Sequence, residues 1–141
     1  MGVSVIGLTG QGGGKLAPHC DVLQADGGTR TAAITGAFLA LRDCLAWMAG
    51  RSILKDIPLK DHVGAVSCGV YLGETVIDLD YAEDSTAETD ANFVITGSGG
   101  LVEVQGSAEG APFSEAQLLL MLTLARGGVA ELIKLQKVAL G

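Results

Sequence analysis

Two short stretches carry the residue types that chemistry needs. The first, Asp26-Gly27-Gly28-Thr29-Arg30-Thr31, leads into the predicted start of a helix. The opening turn of a helix has backbone N–H groups without intrahelical acceptors, and the helix dipole adds partial positive charge there. Two glycines let an anion approach that backbone closely. Thr29 contributes a hydroxyl, and Arg30 a planar fork that matches phosphate oxygens. The same residues equally fit an ordinary strand–turn–helix connection with Thr29 as N-cap. The second stretch, Glu83-Asp84-Ser85-Thr86-Ala87-Glu88-Thr89-Asp90, holds four carboxylates in eight residues. They repel one another unless solvated or neutralised by a cation. Asp84 and Asp90 are six apart, so a loop that folds back brings both to one side. Oxygen ligands without His or Cys favour magnesium or manganese over zinc. A run of acids between strands is, however, more often a solvated turn.

Other candidates fail on chemistry. Gly10–Lys15 resembles a phosphate loop only superficially: Thr9 stands where its first glycine belongs, and Leu16 where the hydroxyl after the lysine belongs. His19 and His62 have no nucleophile at a meaningful spacing. Trp47 reads as core or interface, since no Phe/Tyr pairs alternate with Lys/Arg to make a base-stacking surface.

The elements that must position the two stretches follow from periodicity. A helix is predicted from about Thr29 to Ala49, with Ile34, Phe38, Leu41, Leu45 and Met48 on one face. Before it, Cys20–Ala25 reads as the end of a strand. His62–Leu72 is a valine-rich apolar run, the pattern of a strand covered on both faces. Thr75–Tyr81 alternates as a strand, Ala82–Ala91 reads as a polar loop, and strands follow at Asn92–Thr96 and Leu101–Gln105. Ser114-x-x-Gln117 is a capping box opening a helix to about Leu140, with Gly127-Gly128 expected to bend it. Strands packed with helices make an α+β fold. Residues 1–19 read as an atypical Gly-rich leader, and 20–141 as the domain.

Composition narrows the class. Of the 141 residues 48% are hydrophobic and 18% charged, which excludes intrinsic disorder. Apolar runs are interrupted before membrane-spanning length, so no membrane association is expected. Three widely spaced cysteines suit free thiols in a reducing cytoplasm better than a disulfide framework. The opening residues show no signal-peptide pattern. Nine basic against sixteen acidic residues, net −7, argue against a surface that coats nucleic acid unaided.

Three segments carry a resemblance: CDVLQADGGTRTAAITGAFLAL (20–41), VIDLDYAEDSTAETDANFVITGSGG (76–100) and VEVQGSAEGAPFS (102–114). They closely resemble the bacterial ribonuclease PH family, phosphate-dependent 3′-exoribonucleases related to polynucleotide phosphorylase and the exosome ring subunits. The resemblance runs from Cys20 onward and corresponds to the family's C-terminal part. It implies a ribosomal-protein-S5-domain-2-like sheet packed with helices, here N-terminally truncated. Carried over, Gly28, Thr29 and Arg30 would hold the attacking inorganic phosphate. Asp84 and Asp90 would act in catalysis with Arg30 and hold Mg2+ or Mn2+. It further implies a cytoplasmic homohexameric ring that trims tRNA precursors and other RNA 3′ ends, rRNA included, releasing nucleoside diphosphates. The alternative is a non-catalytic fragment or assembly module that keeps the fold but lacks the RNA-binding half.

Overall fold

Seven elements follow one another in the computed structural model, which describes residues 18–141. The Gly-rich leader and the Gly10–Lys15 segment therefore lie outside the described residues, apart from Pro18 and His19. The elements are α1 (Thr29–Gly50), β1 (Val63–Tyr71), β2 (Glu74–Ile77), α2 (Tyr81–Asp84), β3 (Thr89–Thr96), β4 (Leu101–Ala108) and α3 (Glu115–Leu140). The strands form one antiparallel sheet in the order β2-β1-β3-β4. The expected α+β class is what the chain adopts.

The period of two in the strands decides which side chains meet which helix. Cys68, Ala91, Phe93 and Ile95 point to one face and pack with Met121, Ala125, Val129 and Ile133 of α3. Their neighbours of opposite parity face α1, where Thr31 meets Ser67 and Phe38 and Leu45 are buried. Both faces of β1 are thus covered, as its unbroken apolar run requires. α1, at 22 residues, passes the length and composition test for a membrane span, contrary to the reading of interrupted runs. Its alanines, leucines and isoleucine raise its hydropathy; the helix also carries Arg42 and Asp43, and it buries Thr31, Phe38 and Leu45.

Several boundaries differ from the sequence expectations. Residues 20–25 form no strand, and among the described residues no neighbouring strand lies there to supply a ladder. Gly28, at φ 66°, is the N-cap of α1, rather than Thr29. β2 stops at Ile77 because Asp78 takes a positive φ of 59°. Leu79 continues the apolar alternation for another reason: it is buried over Gly69, where a side chain would meet Leu79 Cδ2 at 3.1 Å. The polar loop is instead a one-turn helix followed by the start of a strand. Asp80 caps α2 and closes a capping box with Glu83, and β3 begins at Thr89, so Asp90 lies in the sheet. α3 starts where its Ser114/Gln117 box predicts and runs unbroken through Gly127-Gly128. Gly128 is small because a Cβ there would lie 2.6 Å from Ile77 Cδ1. Trp47 is half exposed, with the Arg51 guanidinium 3.9 Å from its ring centroid. His62 bonds Gln136 through Nδ1 at 3.2 Å and does no chemistry visible here.

Candidate functional site

The loop before α1 is held against the loop after β2 at backbone distance. A Cβ on Gly27 would lie 2.1 Å from the Leu79 carbonyl oxygen, so only glycine fits. Asp26 fastens the contact: Oδ1 accepts from Gly27 N–H at 2.8 Å and from Tyr81 N–H, the first residue of α2, at 3.2 Å. Thr29 Oγ1 donates back to the Asp26 carbonyl at 2.6 Å. The start of α1 and the start of α2 are therefore one assembly, and α2 carries Asp84.

Between them lies a cleft of about 410 Å³. Asp26, Gly28, Thr29 and Arg30 line it from the α1 side, Asp84 from α2, and Ser67, Asp90, Asn92 and Gln105 from the sheet. All five residues singled out in the sequence meet here, although they come from segments more than 50 positions apart. The α1 side is rich in donors. The N–H groups of Thr29, Arg30 and Thr31 have no acceptor among the described residues, the first helical bond being Ala32 N–H to Gly28 O at 3.0 Å. Gly28 provides no side-chain cap that would consume one of them.

Arg30 has a partner that sequence spacing could not supply. Its Nη2 donates to both carboxylate oxygens of Glu103 on β4, at 2.7 and 2.9 Å. Both side chains are partly exposed, so the pair orients more than it stabilises. Nε and Nη1 have no partner among the described residues, which leaves part of the fork for an anion.

The opposite side of the cleft is acidic. Burial pushes the Asp90 carboxyl above its ordinary value; the charges of Asp84 and Glu109 add to this, and a hydrogen bond from Asn92 opposes it. Asp90 pairs with Gly69 on one side and Ser107 on the other, which fixes its backbone in the middle of the sheet. Among the described residues no three His, Cys, Asp or Glu side chains converge. The donor set for a cation is thus two carboxylates, which fits magnesium, an ion that keeps several waters and shares substrate phosphates. Sequence reasoning missed Ser67, Asn92, Gln105 and Glu103. One signal was available for Asn92: two positions after Asp90 in a strand puts it on the same face.

Known proteins share this fold. The family model for the 3′ exoribonuclease family, domain 2, matches residues 61–128. The crystal structure of rice (Oryza sativa) Rrp46 superposes with a TM-score of 0.63 at 26% identity, covering 82% of this chain and 49% of that one. The fold is similar to that of domain 2 of the 3′ exoribonuclease family and of the rice Rrp46 structure. Ribonuclease PH of Methylocella silvestris is 68% identical over 136 residues, 96% of this chain and 57% of that protein. Ribonuclease PH of Methylorubrum populi is 63% identical over 137 residues, 97% of this chain and 58% of that protein. The chain is similar to these ribonuclease PH proteins and matches their C-terminal part. It spans somewhat over half the length of these curated relatives, and the matched span extends into residues 1–19.

Proposed function

We propose that this cleft belongs to a phosphorolytic 3′-to-5′ exoribonuclease, with inorganic phosphate seated on the first turn of α1 and an RNA 3′ end lying against Asp84 and Asp90. The observation that supports this reading is the convergence in one cleft of unpaired N–H donors, part of a guanidinium, and two carboxylates. The N–H groups of Thr29–Thr31 and the uncommitted nitrogens of Arg30 bind the phosphate dianion and orient one oxygen at the last phosphodiester. That oxygen forms a bond to phosphorus while the bond from phosphorus to the preceding 3′ oxygen breaks. The 3′ oxygen takes up a proton, and a nucleoside diphosphate leaves. One phosphodiester is exchanged for one phosphoanhydride, so the reaction runs in either direction. Arg30 keeps the two anions from repelling each other, and Glu103 keeps Arg30 pointed at them. Asp84 and Asp90 would hold a magnesium or manganese ion, which when bound supplies positive charge against the phosphoryl oxygens. The substrates this reading implies are tRNA precursors and other RNA 3′ ends, handled in a cytoplasmic ring of identical subunits.

Incubation of the folded chain with 3′-extended tRNA, phosphate and magnesium tests it. Nucleoside diphosphate is the expected product, and Arg30→Ala lowers its rate about 10²-fold or more, by analogy with loss of an oxyanion donor. A chain that is folded but releases no diphosphate refutes catalysis by this polypeptide and leaves the non-catalytic assembly module.

A further inference from the structure

A second cavity, of about 360 Å³, lies beside the middle of α1 and shares no lining residue with the cleft. Arg42, one of its two cations, stands twelve residues after Arg30, about 18 Å farther along the helix axis. The other cation is Lys60, and neither forms an ion pair among the described residues. Both are mounted on fixed supports. Arg42 lies one turn after Phe38, whose buried ring sits 5.0 Å from the His62 ring. Lys60 stands between Asp61 and a tight turn at Pro58, closed by Leu59 N–H to the Ile57 carbonyl at 2.9 Å. Asp61 Oδ1 accepts from His62 N–H at 2.7 Å, and Oδ2 from Ser98 N–H at 2.8 Å.

Counting hydrogens assigns the polarity of the remaining wall. Gln136, 2% exposed, donates from Nε2 to the Val63 carbonyl at 2.8 Å and the Thr35 carbonyl at 3.4 Å. Carbonyls only accept, so its Oε1 is the atom 3.2 Å from His62 Nδ1, and Nδ1 must bear the proton. In the neutral ring Nε2 is then a bare acceptor, without a partner among the described residues. The Asp61 carboxylate, also in the lining, only accepts as well. The cavity therefore offers two cationic donors and two acceptors. Sulfate and phosphodiesters present acceptor oxygens alone, which would face those acceptors unpaired. Monohydrogen phosphate has both acceptor oxygens and one O–H, and matches both sets.

We propose that this cavity is a second inorganic-phosphate site, away from the cleft. Arg42 and Lys60 hold the oxygens of the monohydrogen phosphate dianion, and its O–H donates to His62 Nε2. Asp61 beside them disfavours anions that carry no proton. The site does not depend on the reading of the cleft.

The full chain is titrated with sodium phosphate at about pH 8 and constant ionic strength, and the His62 ring signals and Thr29–Thr31 amides are followed by NMR. His62 responds saturably. Arg42→Gln and Lys60→Gln each raise its half-saturation about 10-fold or more, the scale of losing one charge-assisted hydrogen bond. Sodium sulfate binds about 10-fold or more weaker, because His62 Nε2 is left without a donor. Arg51→Gln, whose guanidinium lies on Trp47 outside the cavity, leaves half-saturation within about two-fold. No saturation at His62 in the folded wild type, or saturation that both variants leave unchanged, overturns the site. Sulfate saturating as tightly as phosphate overturns the assignment of the ligand. The amides report the cleft separately: silence there alongside saturation at His62 refutes phosphate on the first turn of α1 and leaves the second site standing. Should Arg42→Gln not fold, the exposed Lys60→Gln and the sulfate comparison decide.

Discussion

Gly27→Ala is the sharpest perturbation available, because it adds one methyl group where two backbones touch. The new Cβ would lie 2.1 Å from the Leu79 carbonyl oxygen and 2.8 Å from the Asp80 carbonyl carbon. An ordinary carbon–oxygen contact is about 3.3 Å or more. The two loops must therefore separate by about 1.2 Å, and neither neighbour is a side chain that can swing away. Overpacking of this kind costs about 1–3 kcal/mol. Separation also stretches the bond from Tyr81 N–H to Asp26 Oδ1, now 3.2 Å, at a further cost of about 1 kcal/mol. The total is about 2–4 kcal/mol. With a urea slope of about 2 kcal/mol per molar, the unfolding midpoint falls by about 1–2 M. Gly73→Ala is the control: its φ of 79° makes alanine strained, but nothing lies within 4 Å, so it loses only about 1 kcal/mol. The Gly27 variant also shifts the Asp84 amide resonance, because α2 moves with the loop. A Gly27→Ala stability within about 0.5 kcal/mol of wild type would refute the close approach, and with it the claim that α1 and α2 move as one assembly.

Other outcomes follow from the same geometry. Asp90 has its proton affinity raised by burial, so the folded state binds that proton more tightly than the unfolded chain does. The sign follows: stability is lost as pH climbs from the ordinary carboxylate range through the raised value. Asp90→Asn therefore melts higher than wild type at pH 7, and the difference shrinks toward pH 3; equal melting curves across that range would contradict the burial. Cys68 is fully buried with its thiol pushed up to about 12, whereas Cys20 is exposed. A thiol reagent at pH 8 labels Cys20 first and reaches Cys68 only on unfolding, which mass spectrometry of the labelled peptides resolves. In α3 the adjacent glycines respond differently. Gly127 faces open space, so alanine there stabilises by about 0.5–1 kcal/mol in denaturant titration. Gly128→Ala meets Ile77 and Val66 and is less stable than Gly127→Ala by about 1–2 kcal/mol.

Legibility of this chain in its sequence tracks the range of the forces involved. α3 and α1 were readable because a capping box and a three-to-four spacing are local, and β1 because a fully covered strand needs an unbroken apolar run. α2 was hidden although its Asp80-x-x-Glu83 box was present. Leu79 prolonged the alternation of Val76, Ile77 and Asp78, and nothing in the residues announces that Asp78 turns to a positive φ. Asp90 read as loop because a polar flank masked Ala91, Phe93 and Ile95 beyond it. Within the site, the Gly-Gly-Thr-Arg turn and the two aspartates could be named from residue type. Their meeting could not be derived from spacing, since it depends on sheet order. The Glu103 partner of Arg30 lies 73 positions away and is invisible to any local pattern.

The two aspartates are mounted on very different supports. Asp90 belongs to a strand laced on both edges, so its backbone can shift only if three strands yield with it. Asp84 closes a helix of one turn, tied down by a few bonds to Asp26 and Asp80. The cleft therefore behaves like a vice with one fixed jaw and one sprung jaw. Any change in the width of the cleft is taken up on the Asp84 side, while the Asp90 backbone supplies the reference from which the stroke is measured.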